Sequence, residues 1–120
     1  MKEPKVIRLQ PDGPMREVLE GSASMKHVLL DKMSIALFKV PKGKGSKIPE
    51  HFHRHAEEIG IQLKGTAKVF AGGEEYVVKE GEAIIIPAGV EHTGIFSDDE
   101  ECWLLAIASP PRTDYGPPNW

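Results

Sequence analysis

Three histidines occupy alternate positions in one short stretch of this chain, EHFHRHAEEIG, which runs from Glu50 to Gly60. They are His51, His53 and His55, and the chain of 120 residues has only five histidines. On a β-strand, side chains two positions apart point to the same face, so the imidazoles of His51 and His53 would lie close enough to share one ion. The same spacing also occurs as surface decoration, so the surrounding sequence has to decide between the two interpretations.

Downstream residues are able to complete such a site. EEIGIQLKG begins a second predicted strand, which carries Glu58, Gly60 and Gln62 on one face. EGEAIIIPAGVEHTGIF predicts a strand that ends at Pro87 and a turn, after which His92 enters a new strand. Strand histidines, a carboxylate on a neighbouring strand and a distant third histidine form a set suited to Zn, Fe, Mn, Ni, Co or Cu. The absence of cysteine ligands argues against a structural zinc site.

The rest of the sequence predicts an all-β fold. Glycine and proline interrupt short runs rich in Val, Ile and Phe, a pattern typical of a β-sandwich or barrel. In AKVFAGGEEYVV, Gly72 and Gly73 are expected to join two strands as a tight hairpin. MREVLEG near the N-terminus predicts at most one or two helical turns. The C-terminal SPPRTDYGPPNW has too many prolines for a helix or a central strand. It is interpreted either as a frayed tail or, because Tyr115 and Trp120 gain from burial, as a segment packed over the barrel mouth or on a partner subunit.

Length and composition limit the functional classes. The chain is expected to form one domain, residues 1–120, with a core over about 33–109 and a Pro-rich tail over 110–120. A net charge of −3 argues against a nucleic-acid partner. No apolar run reaches the roughly 20 residues of a membrane span and the N-terminus lacks a signal-peptide pattern, so a cytoplasmic location is expected. Cys102, in ECWLLAIA, is interpreted as a packed small hydrophobic residue.

The glycines and prolines around the histidines resemble the two motifs of the cupins, G-x5-HxH-x4-E-x6-G and G-x5-PxG-x2-H-x3-N. The matching residues of this chain are Gly45, His51, His53, Glu58 and Gly65 for the first motif, then Gly81, Pro87, Gly89 and His92 for the second. Phe96 stands where the second motif has Asn. The resemblance covers the middle half of the chain.

The resemblance implies a double-stranded β-helix, or jelly-roll barrel, of six to eight strands with one divalent transition metal inside. The implied ligands are His51, His53, Glu58 and His92. Glu58 is preferred over Glu57 because it fits the motif spacing and shares a face with Gly60 and Gln62. His55 lies outside the ligand pattern and is interpreted as a rim group or a surface histidine.

The tail narrows the implied chemistry. SPPRTDY, from Ser109 to Tyr115, is similar to the ending of small cupins that open the rings of unsaturated uronates in pectin and alginate breakdown. Arg112 matches their site arginine and would bind a substrate carboxylate as a bidentate pair. That group has Asp and an aromatic residue where this chain has Ala106 and Ala108, and Gln where it has Glu58. Gln62 is interpreted as a further candidate for contact with substrate or, equally, as a polar core residue satisfied by the backbone, and an inward Phe96 would make the wall drier.

Three functional hypotheses follow. The first is a metal-dependent lyase, isomerase or ring-opening enzyme that acts on a small, oxygen-rich, uronate-like acid. The second is an Fe(II)-dependent dioxygenase, and the third is a module that binds or senses a metal and a small ligand without turnover. We also expect a homodimer, because Ile59, Ile61 and Leu63 lie opposite the metal face and a small barrel cannot bury both faces of its sheet.

Overall fold

Two antiparallel β-sheets build the protein. The structure, a computed structural model, describes residues 3–44, 46–51, 56–112 and 114–119, with the backbone alone for 48–51. These residues form ten strands: β1 (Arg16–Val18), β2 (Ala23–Leu29), β3 (Ser34–Val40), β4 (Lys47–His51), β5 (Glu57–Lys64), β6 (Ala67–Ala71), β7 (Glu74–Val78), β8 (Ala83–Ile86), β9 (His92–Phe96) and β10 (Cys102–Ser109). One sheet has the order β1-β2-β3-β10-β5-β8 and the other the order β4-β9-β6-β7. The predicted all-β jelly-roll fold is confirmed.

Several local predictions agree with these strands. The hairpin at Gly72–Gly73 joins β6 to β7, with Ala71 paired to Glu74 and positive φ angles of 58° and 84° at the two glycines. Positive φ at both central residues is the requirement of the tight hairpin turn that fits the twist of the flanking strands. Strand β8 ends before Pro87, and His92 opens β9, as the sequence predicts.

The N-terminal region differs from the prediction. MREVLEG forms no helical turns; its residues Arg16–Val18 are strand β1 and pair antiparallel with Ala23–Met25 of β2. Strand β2 was also not identified from the sequence, and both strands lie before residue 33. The helical prediction was wrong because a segment this short has little intrinsic preference, and the open edge of β2 offers it backbone hydrogen bonds. These additions bring the described strands above the expected six to eight.

The inward side chains of the six-stranded sheet form three rows across the paired strands. The rows are Glu58–Ile86–Ala108, then Gly60–Ile84–Ala106, then Gln62–Leu104–Phe38. On the facing sheet, three residues of β9 point inward: His92 at the level of the first row, Gly94 at the level of the second and Phe96 at the level of the third. Leu104 of the third row packs against the apolar cluster that contains Phe96 of β9. The third row and Phe96 therefore meet at one end of the barrel. Glu58 and His92 therefore share the opposite end.

Among the described residues, the N-terminal segment covers the outer face of the six-stranded sheet near β2. Lys26 on β2 is 4% exposed, and its ammonium group donates to the carbonyl oxygens of Arg8 and Gln10 at 3.3 and 2.9 Å. The N-terminal segment therefore lies across β2. Farther along the sheet, Ile85 on β8 remains 70% exposed. No helix in the described ranges is long and apolar enough to cross a membrane.

A substitution at Gly65 tests the turn that joins β5 to β6. Gly65 has φ +77°, and a Cβ placed there would lie 2.5 Å from Cys102 Sγ and 2.9 Å from the Glu101 carbonyl oxygen. Gly65→Ala therefore adds a steric clash to the left-handed backbone strain, and we expect it to lower the free energy of unfolding by about 3 kcal/mol. Urea denaturation measures the change.

Gly73→Ala is the matched control. Gly73 has a similar φ of +84°, but a Cβ there meets nothing within 4 Å. It should cost about 1 kcal/mol, the backbone strain alone. Equal losses of unfolding free energy in the two variants would show that the contact with Cys102 adds nothing to the cost of a side chain at Gly65.

Candidate functional site

A cavity of about 400 Å³ lies between the two sheets. Glu58 and Gln62 reach it from β5, His92 from β9 and Arg112 from the C-terminal tail. The alternation of the strands explains this placement, since the intervening residues Ile59 and Ile61 turn outward. Glu57 is exposed and does not line the cavity, whereas Glu58 does. The site candidates Glu58, Gln62, His92 and Arg112 thus come together in one cavity.

The structure describes one of the three histidines of the opening motif. His51 is described through its backbone, which pairs with His92 across β4 and β9. His53 and His55 lie outside the described residues, as does Gly45 of the first motif. Among the described residues no group of three or more His, Cys, Asp or Glu side chains is placed to hold a metal ion. Two of the four predicted ligands, Glu58 and His92, can therefore be examined as side chains.

His92 is oriented to present one particular ring nitrogen. It is 5% exposed, and its Nδ1 lies 2.9 Å from the Val90 carbonyl oxygen. A carbonyl only accepts, so Nδ1 carries a proton, and in the neutral ring the lone pair able to bind a metal belongs to Nε2. This backbone contact is the usual way in which a metal-ligating histidine has its tautomer and ring orientation fixed. The donor chemistry of His92 and Glu58 fits a divalent transition metal.

Arg112 connects the tail to the cavity. Its Nη1 lies 3.5 Å from Glu58 Oε2 and also donates to the hydroxyl of Tyr115. Its Nε donates to Asp114 Oδ1 at 2.9 Å, and Nη2 donates to Asp114 Oδ2. The bidentate edge of the guanidinium thus faces a carboxylate of the protein itself. Nη1 is the part of Arg112 directed at Glu58.

The tail reaches this position by folding back over the barrel. The Arg112 backbone N–H donates to Ser34 Oγ at 2.9 Å, and Arg16 of β1 donates to the carbonyl oxygens of Tyr115 and Pro117. Asn119 pairs with the backbone of His27 on β2 at 2.6 and 3.1 Å. Of the two positions expected for the tail, the mouth of its own barrel is the one that the structure shows.

Tyr115 forms the inner surface of the tail. Its ring packs edge-on against His27 and Phe38, with centroids 5.5 and 5.9 Å away, and the guanidinium carbon of Arg112 lies 4.0 Å from its ring centroid. Burial raises the pKa of Tyr115, so the hydroxyl stays protonated at neutral pH. Neither Tyr115 nor Asp114 was predicted from the sequence to line the cavity. Both neighbour Arg112 in SPPRTDY, and that proximity was the available signal.

The remaining candidates occupy the deep end of the cavity. Gln62 is 1% exposed, and its side-chain amide donates to the Lys64 carbonyl oxygen at 3.0 Å. Phe96 is 2% exposed and lines the wall, as expected for an inward residue that dries the site. Cys102 is fully buried, and burial raises the pKa of its thiol, so it behaves as a packed small residue.

Comparison with known proteins identifies the family. The Cupin domain model matches residues 36–108, which is more than half of the chain. The chain belongs to the cupin family.

Solved cupin structures agree with the fold over most of the chain. The structure of KdgF from Halomonas sp. has a TM-score of 0.77 with 20% sequence identity, and it covers 87% of this chain and 92% of its own. An RmlC-like cupin from Shewanella frigidimarina NCIMB 400 has a TM-score of 0.77 with 18% identity, and it covers 97% of this chain and 100% of its own. Likeness at these identities shows the shared fold.

A curated relative matches a shorter stretch. A mannose-1-phosphate guanylyltransferase from Salmonella montevideo is 34% identical over 62 residues, which is 52% of this chain and 13% of that protein. The chain spans less than half the length of each curated relative it matches. The curated proteins that share this stretch include an enzyme, the guanylyltransferase.

The contact between His27 and the tail gives a pH-dependent stability. His27 is 1% exposed, its Nδ1–H donates to the Gly116 carbonyl oxygen at 3.1 Å, and Nε2 has no hydrogen-bond partner among the described residues. Burial lowers the pKa of His27 below its ordinary value of 6.5. The unfolded chain then binds a proton more readily than the folded one, so stability decreases as the pH falls below about 6.5.

Metal-free protein should lose up to about 1.4 kcal/mol of unfolding free energy per pH unit in this range through His27. Urea denaturation at pH 7.5 and 5.5 measures the loss, which should shrink in His27→Gln. Asn119→Ala is the control, because it loosens the same tail without removing the imidazole and should lower stability equally at both pH values. An unchanged pH dependence in His27→Gln would contradict this role.

Proposed function

We propose that this cupin is a metal-dependent enzyme that acts on a small organic acid. The observation that carries the proposal is the convergence of Glu58, His92 and Arg112 on one cavity, with the His92 ring oriented by the contact of its Nδ1 with the Val90 carbonyl oxygen. His51, His53, Glu58 and His92 would hold one divalent cation. When bound, that cation supplies Lewis-acid chemistry, polarising a substrate oxygen or lowering the pKa of a bound water.

The residues around the cation would orient the substrate. Arg112 would place its positive charge beside the substrate carboxylate through Nη1, since Nε and Nη2 are bound to Asp114. Tyr115 would donate its hydroxyl proton to a substrate oxygen from the same side. The tail that carries both residues would keep bulk water away from the reacting atoms, which strengthens these interactions.

The finer reaction class within this proposal is a lyase, isomerase or ring-opening step. It is supported by the likeness of the tail to the uronate ring-opening cupins and by Asp114 and Tyr115. Asp114 and Tyr115 bring a carboxylate and an aromatic ring to the cavity. The similar cupins have such groups at the positions of Ala106 and Ala108, which supply neither in this chain. An Fe(II)-dependent dioxygenase would use the same ligands, and it would consume oxygen during turnover whereas a lyase or isomerase would not.

A binding module without turnover is the second candidate. It is favoured by one specific observation, the bidentate contact between Arg112 and Asp114, which satisfies the guanidinium within the protein. Such a module would bind metal and ligand and release the ligand unchanged.

Substitution of the two neighbouring glutamates tests the metal site. Glu58→Ala removes the carboxylate ligand, and we expect metal affinity to fall about tenfold or more. Glu57→Ala is the matched control, since Glu57 is exposed outside the cavity, and it should retain one metal ion per chain. Elemental analysis after dialysis and calorimetric titration measure both. Full metal affinity in Glu58→Ala would overturn the proposed ligand set.

Arg112→Lys separates the enzyme from the binding module. Lysine keeps the charge but loses the planar fork that holds Asp114. For an enzyme, we expect turnover of its substrate to fall while metal content stays at the wild-type level. If the wild-type protein binds metal and ligand but turns over none of the candidate acids, aerobically or anaerobically, it is the binding module.

We also propose that the protein is a homodimer that covers the outer face of the six-stranded sheet. Four isoleucines, Ile35, Ile107, Ile59 and Ile85, are paired in one row across β3, β10, β5 and β8. The N-terminal segment covers β2 but leaves Ile85 70% exposed. A second copy of the chain, related by a twofold axis, would bury this row against itself.

Ile85→Lys should convert the dimer to a monomer in light scattering, because it places a charge in the apolar interface. Val77→Lys is the control, since Val77 is 50% exposed on the other sheet, and it should leave the dimer intact. A monomeric wild-type protein at micromolar concentration would contradict the proposal.

A further inference from the structure

The described charged residues of the cavity lie at one of its ends. Its charged lining residues, Glu58, His92, Arg112 and Asp114, lie where the first row of the barrel meets the tail. The next row consists of Gly60, Ile84 and Ala106 and faces Gly94, so the middle of the cavity has few large side chains. A ligand held at the charged end can therefore extend inward.

The inner wall is apolar. Its described members are aliphatic or aromatic: Val18, Leu19, Met25, Phe38, Val69, Val78, Ile84, Phe96 and Leu104. The described polar residue of the third row is Gln62, and Thr93 lies between the first two levels of β9. The Gln62 amide nitrogen is already bound to the Lys64 carbonyl oxygen. A hydroxylated ligand would find few partners along this wall.

We infer that the substrate is an acid with an apolar body, bound with its carboxylate at the charged end and its hydrocarbon part against Phe96 and its neighbours. This rests on the proposed function for the charged end and replaces the oxygen-rich acid expected from the tail. Each ligand hydroxyl buried without a partner weakens binding about tenfold. Each methylene buried in the apolar part strengthens it about fourfold.

The cavity volume is compatible with such a ligand. About 400 Å³ lies within the range of sites that enclose small organic molecules. Phe96, which stands where the second cupin motif has Asn, removes a polar group from this wall. The departure from the motif and the apolar wall thus favour the same ligand class.

Two acids with the same carbon chain test the inference directly. Hexanoate carries only hydrogen on its chain, and gluconate is its fully hydroxylated counterpart. We expect hexanoate to bind at least about tenfold more tightly. A series from acetate to octanoate should gain about fourfold per methylene until the cavity is filled. Calorimetry on the metal-loaded and the metal-free protein gives the affinities.

Variants of the inner wall locate the effect. Val69→Thr keeps the shape of the side chain but replaces one methyl group by a hydroxyl, and it should weaken hexanoate binding about threefold to tenfold. Phe96→Asn should weaken hexanoate binding further and narrow the difference in affinity between hexanoate and gluconate. Phe70→Asn is the matched control, because Phe70 is exposed on the outer side of β6, and it should leave the series unchanged. Melting curves verify that each variant is folded.

The outcomes separate this inference from the proposed function. A flat chain-length series, or gluconate binding as tightly as hexanoate, would overturn the apolar ligand while metal binding still supports the metal-dependent enzyme. A rising series in a protein that binds no metal would support the apolar ligand and overturn the metal site. Wild-type affinity for hexanoate in both Val69→Thr and Phe96→Asn would also overturn the inference, because binding would then occur elsewhere.

Discussion

The contact between Glu58 and Arg112 is the interaction on which the site depends. Glu58 extends from β5 into a largely apolar barrel, where an ionised carboxylate is costly unless a cation lies nearby. Arg112 provides that charge at 3.5 Å, but only because the tail folds back across the barrel. Asp114 and Tyr115 arrive with it. One electrostatic requirement therefore links the barrel, the tail and the charged end of the cavity.

The same contact suggests how metal binding and the tail are coupled. A divalent cation bound to Glu58 would satisfy the carboxylate that Arg112 faces in this structure. Nη1 would then be available to a substrate, while Asp114 keeps the other edge of the guanidinium in place. Arg16 and Asn119 hold the tail independently of Glu58, so it need not leave the barrel when the metal binds.

The cupin barrel separates charge from hydrocarbon along its length. Strand alternation gives one inward row at each level, and the composition of each row fixes its chemistry. The first row brings the carboxylate of Glu58 next to the charged tail, the second has one large residue, Ile84, and the third joins Leu104 and Phe38 to a single amide, Gln62. A family that shares the metal motifs can therefore differ in its ligands through the inner rows and the tail.

The sequence by itself determined the motif-bearing part of the fold. Glycine and proline spacing fixed the turns, and strand alternation put Glu58 rather than Glu57 on the cavity face, because these are local properties of the backbone. It missed β1 and β2, whose strand character comes from pairing with each other and with β3. Only the tertiary structure brought Asp114 and Tyr115 to the cavity and paired His27 with the tail, since those contacts join residues about 60 to 90 positions apart and depend on how the barrel closes.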